Sequence, residues 1–341
     1  MQYSFFKQSA LCSLVVLLVF NALPSFADYS KHPKAEEFVD LLVNEHKLDR
    51  AEVVAALSQA QRKDKILKAI SRPAEKTKPW FEYRKIFLGQ SRIDKGVEFW
   101  LQHSEVIARA AEAYKVDPQI IVAIIGVETL YGHYRGSYRV LDALATLGFD
   151  YSPRSKFFRS ELKHFFLLAK EQKQDIATLM GSYAGAMGYG QFIPSSYRRY
   201  AVDFDGDKIA DIWSNVEDAV GSVANYFAEH KWQYKQPVMT PSKIAKNYEN
   251  SVLNSRVRPK HTLADLAKLG YSPKENRYDA YRKAVPLMYE SKQGKEYMLG
   301  FDNFYVITRY NRSQMYARAV WELSNEILAG YNAKRVAKVK S

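Results

Sequence analysis

One acidic residue, Glu128, stands in the otherwise apolar stretch IIVAIIGVETLYG. On a helix its carboxyl group would share a face with Ile121, Ile124 and Ile125, which precede it at helical spacing. A carboxylate that is moved from water into apolar surroundings has its pKa raised, so it can hold a proton near neutral pH and donate it. The pattern predicts a general acid; the alternative is a glutamate at a helix end that reaches solvent or caps a backbone amide.

The helix that would carry this acid has recognisable ends. Asp117 and Pro118 form a start signal, a capping residue followed by a proline in the first turn, and Gly132 is a suitable stop. We therefore predict one short helix over PQIIVAIIGVETLY.

A second stretch, GSYAGAMGYGQF, begins at residue 181 and has four glycines in its first ten residues. Glycines permit tight turns and the close approach of a ligand to the backbone. Phe192 offers a ring that suits the face of a sugar, while Gln191, Ser182 and Tyr189 offer an amide and hydroxyls to its polar groups. The alternative is a glycine-rich packing turn around a core phenylalanine.

An acidic stretch, DFDGDKIADIWSNVED, has the alternating oxygen ligands of a calcium-binding loop. The match is partial, because Lys208 replaces the usual glycine and the closing acid arrives later than in the standard loop. An acidic turn that caps the following helix is the alternative. The predicted ligands are Asp203, Asp205 and Asp207, closed by Glu217 or Asp218.

The first 27 residues differ from the rest of the chain. Lys7 precedes the apolar run LCSLVVLLVF, and PSFA supplies small residues before a cut after Ala27. The run is shorter than the roughly 20 residues that span a membrane, so we predict a cleaved signal peptide rather than an uncleaved anchor. Cys12, the single cysteine, lies inside this run and is not placed for lipidation, so we expect a soluble periplasmic protein without disulfides.

The formal net charge of +13 predicts attraction to a polyanion. Export and the lack of a recognisable nucleic-acid module argue against nucleic acid. A cell wall that carries free peptide carboxylates is the polyanion that fits an exported protein. We interpret the basic C-terminal stretch AKRVAKVKS as a solvated tail.

Most of the remaining sequence has the apolar period of helices. Prolines and then aromatic residues in SRPAEKTKPWFEYRKIFLG indicate a linker, and KEYMLG and NFYVITRY favour short strands. The sequence thus predicts a mainly α fold with a small β region (α+β). The predicted helices include AEEFVDLLVNEH, KLDRAEVVAALSQA capped by Asp49, SRIDKGVEFWLQHSEVIARAAEAYKV, ELKHFFLLAKEQKQ, NVEDAVGSVANYFAEH and SQMYARAVWELSNEIL capped by Ser313.

Five stretches, GVETLYG, GSYAGAMGYGQFIPSSY, AVDFDGD, VANYF and NFYVITRYNRS, closely resemble the lytic murein transglycosylase B family, glycoside hydrolase family 103. The resemblance extends over residues 32 to 330. It implies a lysozyme-like catalytic core with accessory helical and small-sheet subdomains. The predicted regions are a signal peptide (1–27), an N-terminal helical region (28–90), the core with the calcium loop (91–235), a small mixed α/β region (236–300), and a core strand, C-terminal helix and basic tail (301–341).

The resemblance also implies a role for individual residues. Glu128 matches the family's catalytic acid, and Ser182, Gln191 and Phe192 match its sugar contacts. The lengthened acidic loop of the family would add the Ile209 carbonyl as a ligand of a structural calcium ion, and no catalytic cofactor is needed. Tyr83, Tyr310, Asn311 and Tyr316 match further cleft residues, with Tyr310 and Asn311 near the glutamate.

The chemistry that the resemblance implies uses one carboxyl group. Glu128 would protonate the departing oxygen of the bond between N-acetylmuramic acid and N-acetylglucosamine, and would then take the proton of the C6 hydroxyl, which closes onto C1. The product is a 1,6-anhydromuramoyl end. The nearest downstream acids, Asp142 and Asp150, are predicted to have local structural roles.

Two other functions stay open at the level of sequence. One is a non-catalytic wall-binding scaffold that helps to assemble wall-synthesis enzymes. The other is a muramidase that uses water, although such an enzyme usually has a second carboxylate. We expect a monomer that binds peptidoglycan glycan strands and has no nucleic-acid partner. Peripheral association with the outer membrane or the wall is a second expectation for its location.

Overall fold

The structure is a computed structural model that describes residues 28–72, 78–255 and 257–340. The predicted signal peptide and the segment 73–77 of the predicted linker lie outside these residues. The helices are α1 (Ala35–His46), α2 (Arg50–Gln59), α3 (Asp64–Ile70), α4 (Trp80–Phe87), α5 (Gln90–Gln102), α6 (Ser104–Tyr114), α7 (Pro118–Thr129), α8 (Val140–Asp150), α9 (Ser155–Glu171), α10 (Pro194–Tyr200), α11 (Val216–Glu229), α12 (Leu263–Lys268), α13 (Asp302–Tyr310) and α14 (Gln314–Lys340). The strands are β1 (Tyr138–Arg139), β2 (Met180–Gly181), β3 (Met239–Ile244), β4 (His261–Thr262), β5 (Tyr271–Pro273), β6 (Lys283–Ser291) and β7 (Gly294–Gly300).

The prediction of a mainly α fold with a small β region is confirmed. β1 and β2 form a short antiparallel pair, and the other strands form one antiparallel sheet in the order β4-β6-β7-β3-β5. The sheet has its own small apolar cluster with α12, around Leu266, Tyr271 and Leu299. The predicted boundaries of the regions, and the lysozyme-like character of the core, stay predictions.

Helix α7 lies at the centre of the main apolar core. Its sequence is apolar on nearly every side, and a helix of this kind is stable only when other elements cover it all round. Helices α5, α6, α11 and α14 pack against it. This packing holds the C-terminal end of α7, where Glu128 lies, at a fixed place between the other helices.

Helix α13 corrects the prediction of a strand over NFYVITRY. Its aromatic and β-branched residues favour strands, but Phe304 and Ile307 are buried at a spacing of three residues, with Thr308 beside them. This is the period of a helix packed on one side, and it outweighs the weaker local preference of the residue types. The strand predicted for KEYMLG is confirmed as the end of β7.

Several predicted helix ends are confirmed and others shift. The Asp49 and Ser313 side chains accept the backbone amides expected of caps, at 3.0 Å from Glu52 and 3.2 Å from Tyr316. The long predicted helix from residue 91 is two helices, α5 and α6, which meet at His103. The aromatic part of the predicted linker forms α4.

Helix α7 begins at Pro118 after Asp117, as predicted, but two details of its ends differ from the prediction. Asp117 precedes the helix, but its carboxylate accepts the Trp232 indole N–H at 2.8 Å and the Lys235 amide at 3.1 Å instead of capping α7. The helix also ends at Thr129, because Leu130 already adopts a left-handed backbone conformation (φ 51°) before Gly132. Within the described residues, every helix is too short or too polar to cross a membrane.

The N-terminal helices are fixed to the core through a buried acid, Asp142 of α8. Its carboxylate accepts the Gln61 amide at 2.8 Å and pairs with Arg139 at 2.7 Å and Lys63 at 3.7 Å. Asp150, at the end of α8, accepts the Tyr29 hydroxyl at 2.5 Å. Both acids have structural roles, but only the pair of Asp142 with Arg139 is local; the other contacts join distant segments, which the sequence analysis did not predict.

We expect Asp142→Asn to lower the free energy of unfolding by about 3 kcal/mol. The substitution removes a buried carboxylate and leaves Arg139 and Lys63 without their anionic partner. Urea unfolding followed by circular dichroism measures the change. The matched control is Asp64→Asn, which removes an exposed partner of Arg62 and should change the free energy by less than about 0.5 kcal/mol. Equal effects of the two variants would contradict the structural role of Asp142.

Candidate active site

Glu128 is the last but one residue of α7 and is partly exposed, although Ile121, Ile124 and Ile125 on the same face are fully buried. The hydroxyl of Tyr316 donates a hydrogen bond to Oε1 of Glu128 at 2.5 Å. Tyr316 comes from the first turns of α14, so the pair joins the two helices that pack at the centre of the core. The carboxyl group is thus anchored to the core while the residue remains partly exposed.

Tyr310, at the end of α13, is the second tyrosine beside this acid. Its hydroxyl donates to the carbonyl of Gly190 at 2.5 Å, which connects α13 to the glycine-rich stretch. The pKa values of Tyr310 and Tyr316 are raised well above the ordinary value, first by burial and then by the charge of Glu128. Both hydroxyls therefore stay protonated and act as hydrogen-bond donors over the physiological pH range.

Tyr83 and Asn311 are the remaining predicted cleft residues. Tyr83 is fully buried in α4, where its ring packs against Trp80 and Phe87, and it lies close enough to Tyr316 to affect the pKa of that residue. Asn311 is partly buried and directly follows α13. The structure thus brings Tyr310 and Tyr316 to the acid, with Tyr83 close to Tyr316.

The glycine-rich stretch forms a tight turn beside these tyrosines. Gly188 has a positive φ of 69°, and a Cβ there would lie 2.4 Å from the carbonyl oxygen of Ile212, so only glycine fits. The Ser182 hydroxyl oxygen accepts the amide of Ala186 at 3.0 Å, and the Gln191 side-chain amide donates to the Gly188 carbonyl at 3.0 Å. Ser182 and Gln191 therefore stabilise the turn, and both residues are partly exposed.

Phe192 and Tyr189 differ in their exposure. Phe192 is only 3% exposed and packs against Tyr226 and Tyr310. Its contacts in the described residues are those of a core side chain. Tyr189 is partly exposed, and the guanidinium of Arg135 lies 5.0 Å from the centre of its ring.

The acidic loop brings together carboxylates from both of its ends. Ligand atoms of Asp203, Asp205, Asp207 and Asp218 all lie within 4.8 Å of one another. Glu217 instead pairs with Arg109, so of the two acids left open by the sequence it is Asp218 that joins the cluster. Ile209 contributes its amide, which donates to Asp207 at 2.8 Å.

Asp218 is the only buried member of this group of carboxylates, and burial is the largest cause of its raised pKa. Its two oxygens accept the amides of Phe204 and Asp211, each at 2.7 Å. Four oxygen donors of this kind, close together at the surface, match the ligand type that calcium prefers.

The profile of the Transglycosylase SLT domain family matches residues 30–325 of the chain. The chain belongs to this family. It is similar to the membrane-bound lytic murein transglycosylase B of Escherichia coli K12, with 41% identity over 316 residues, which cover 90% of this chain and 86% of the relative. The resemblance drawn from the five sequence stretches is thereby confirmed.

Solved structures of this family have the same fold. The catenated lytic transglycosylase SltB1 of Pseudomonas aeruginosa aligns with a TM-score of 0.86 and 47% identity, over 89% of this chain and 100% of that chain. The lytic transglycosylase Slt35 of Escherichia coli, in complex with calcium, aligns with a TM-score of 0.80 and 40% identity, over 89% of this chain and 95% of that chain.

Two residues that hold this SLT-domain site together were missed by the sequence analysis. The buried Thr129 hydroxyl donates to the Tyr189 carbonyl at 2.9 Å and accepts the Gly132 amide at 3.0 Å. Arg135 donates to the Trp213 carbonyl at 2.6 Å. Thr129 could have been found from the sequence, because it is a polar residue in an apolar run and directly follows the acid. Arg135 has no comparable sequence signal.

Proposed function

We propose that this chain is a peptidoglycan lytic transglycosylase that cleaves the β-1,4 bond between N-acetylmuramic acid and N-acetylglucosamine and leaves 1,6-anhydromuramoyl ends. One observation carries the proposal: Glu128 lies at the end of a buried apolar helix and is held by the Tyr316 hydroxyl at 2.5 Å. The membership of the SLT-domain family and the names of its relatives support the same activity.

The first step is the departure of N-acetylglucosamine. Protonated Glu128 transfers its proton to the glycosidic oxygen, and the bond between this oxygen and C1 of N-acetylmuramic acid breaks. The electron deficiency at C1 is stabilised by the acetamido oxygen of the same sugar. The Tyr316 hydroxyl holds the carboxyl group in one orientation during the transfer and also stabilises the carboxylate that results.

The second step closes the anhydro ring. The Glu128 carboxylate takes the proton of the C6 hydroxyl, and the oxygen forms a bond to C1 as the acetamido oxygen leaves it. Glu128 is then protonated again and ready for another cycle. Water is not consumed, which suits a carboxyl group placed at the edge of an apolar core.

The environment of the neighbouring acids supports chemistry by one carboxyl group. A hydrolase that uses two carboxylates places them on either side of the bond. Asp142 pairs with Arg139, while Asp150 accepts the Tyr29 hydroxyl and pairs with Arg62 at 3.2 Å. Both are engaged with the N-terminal helices, so the structure favours the transglycosylase over the water-using muramidase.

We further propose sugar-binding roles for the residues around Glu128. Tyr189 is partly exposed and suits the face of a sugar ring, while Ser182 and Gln191 suit its hydroxyl and acetamido groups. Phe192 would support the pocket from beneath, since its ring is covered by Tyr226 and Tyr310. Of the remaining predicted cleft residues, Tyr310 and Asn311 are partly buried, while Tyr83 and Tyr316 are buried and would act through their neighbours instead of by contact with the sugar.

The acidic loop is proposed to bind one structural Ca²⁺ through Asp203, Asp205, Asp207 and Asp218, with the Ile209 carbonyl as a further ligand. The clustering of the four carboxylates supports this site, as does the calcium complex of Slt35. We propose that the protein works in the bacterial cell envelope on glycan strands, in agreement with its membrane-bound relative.

We expect Glu128→Gln to lower turnover by at least about 10³-fold, because one group serves as acid and as base, while binding to peptidoglycan is retained. Mass spectrometry of digested peptidoglycan measures the anhydro ends, which are lighter than hydrolysed ends by one water. Glu105→Gln, an exposed acid of α6, is the control and should retain full activity. Hydrolysed ends from the unchanged protein would indicate a muramidase, and equal inactivity of all forms with retained binding would indicate a wall-binding scaffold.

We expect Tyr316→Phe to lower turnover by about ten- to a hundredfold and to move the alkaline limb of the pH–rate profile to higher pH. The ionised carboxylate of Glu128 loses a hydrogen-bond donor, so its protonated form persists to higher pH. Tyr310→Phe is the comparison, because its hydroxyl donates to Gly190 instead, and it should move the limb less. An unshifted limb in Tyr316→Phe would show that the hydrogen bond has no part in proton transfer.

We expect calcium to raise the melting temperature, because a ligand that binds only the folded state stabilises it by about 2.7 kcal/mol at a hundred times its Kd. The double variant Asp203→Asn, Asp207→Asn should melt at one temperature with calcium or with chelator. Asp64→Asn, an exposed aspartate outside the loop, should keep the calcium effect. Identical melting curves of the unchanged protein with calcium and with chelator would refute the site.

A further inference from the structure

Two short segments meet at the edge of the site, and neither has a role in the chemistry above. The loop 133–136, which follows α7, lies against β2 and the start of the glycine-rich stretch. A Cβ on Gly136 would lie 2.0 Å from the carbonyl carbon of Gly181, so the two backbones are in direct contact. We use the name tyrosine rim for the exposed apolar side chains of these segments, which are Tyr134, Met180 and Tyr183.

The backbone of the tyrosine rim is held by hydrogen bonds to the active site. The Tyr134 amide donates to the Thr129 carbonyl at 2.9 Å, directly beside Glu128 in the chain. The Trp213 indole N–H donates to the Met180 carbonyl at 3.0 Å. The rim is therefore a fixed part of the site and not a free loop.

A second set of contacts joins the rim to the proposed sugar-binding residues. The Arg135 carbonyl accepts the side-chain amide of Gln191 at 3.3 Å, and its guanidinium lies over the ring of Tyr189. Tyr183 directly follows Ser182 in the chain. The segments that carry the rim are thus in direct contact with Tyr189 and Gln191 and adjoin Ser182 in the chain.

Exposure separates this group from ordinary surface aromatics. Tyr134 is 72% exposed, Met180 is 41% exposed and Tyr183 is 40% exposed. Single exposed apolar residues are common and need no explanation. Here three such side chains come from two segments whose backbones touch, close to the amide of Gln191, and exposed rings of this kind suit the apolar faces of sugars.

We propose that the tyrosine rim is an outer subsite that binds the glycan strand beyond the sugars at the cleaved bond. The inference rests on the proposed function, because a glycan polymer must continue past the site where Glu128 acts. Rings held on a fixed backbone lose little conformational freedom when a sugar stacks on them. The rim would therefore favour long glycan strands over short fragments.

The test compares substrates of two lengths. Long glycan strands freed of their stem peptides and a tetrasaccharide fragment are digested in one mixture, and the ratio of kcat/KM for long to short is measured from the anhydro ends. For the double variant Tyr134→Ala, Tyr183→Ala we expect this ratio to fall about tenfold. The double variant with Phe at both positions keeps the rings and should lie within about twofold of the unchanged protein.

The matched control is Tyr281→Ala, which removes an 82% exposed tyrosine from the sheet region and should leave the ratio at its original value. If the double alanine variant has the same ratio of kcat/KM as Tyr281→Ala, the outer subsite is overturned. An equal loss of kcat/KM on long and short substrates overturns it as well. A second measurement uses Glu128→Gln as background: sedimentation with the long strands should give a Kd about tenfold higher when the rim is removed. This binding measurement tests the outer subsite independently of catalysis. If the unchanged protein forms no anhydro ends, that result overturns the proposed function alone, and the change in Kd still decides whether the rim binds glycan.

Discussion

The hydrogen bond between Tyr316 and Glu128 is the interaction on which the rest of the site depends. A carboxyl group at the edge of an apolar core is stable only with polar partners, and this partner is 188 residues away in sequence. The two residues meet because α7, apolar on nearly every side, must be covered by other helices and α14 is one of them. The position of the acid is therefore a property of the whole helical core.

Tyrosine is well suited to this place because it donates a hydrogen bond without carrying charge. A lysine or arginine beside Glu128 would stabilise the ionised carboxylate much more strongly and keep it from holding a proton. Burial and the charge of Glu128 raise the pKa of Tyr310 and Tyr316, so neither hydroxyl competes with the glutamate as an acid. In the proposed mechanism, this arrangement leaves Glu128 as the group that exchanges protons and the tyrosines as its fixed neighbours.

The sequence predicted those features that have a local signal. The apolar run around Glu128, the caps Asp49 and Ser313, and most helices follow from spacing and residue type. Contacts between distant segments have no such signal, so Tyr83, Tyr310 and Tyr316 came only from the family resemblance, and Arg135 was missed. The strand predicted over NFYVITRY was wrong because residue preference was given more weight than the burial period. Asp117 stands at the predicted N-cap position, but the distant partner of its side chain, the Trp232 indole, cannot be read from neighbouring residues.

The acidic loop and the active-site turn are joined by one helix, α11. At its start, Asp218 accepts the amides of Phe204 and Asp211, and a Cβ on Gly221 would lie 2.6 Å from the Phe204 ring, so the loop packs closely on the helix. Two residues further along, Val223 lies 3.0 Å from the Cβ position of Gly190, whose carbonyl accepts the Tyr310 hydroxyl. A cation bound by the loop would remove the repulsion between its carboxylates and so stabilise the start of α11. Because the same helix supports the turn beside Glu128, a cation can help to hold the active site in place without contact with the substrate.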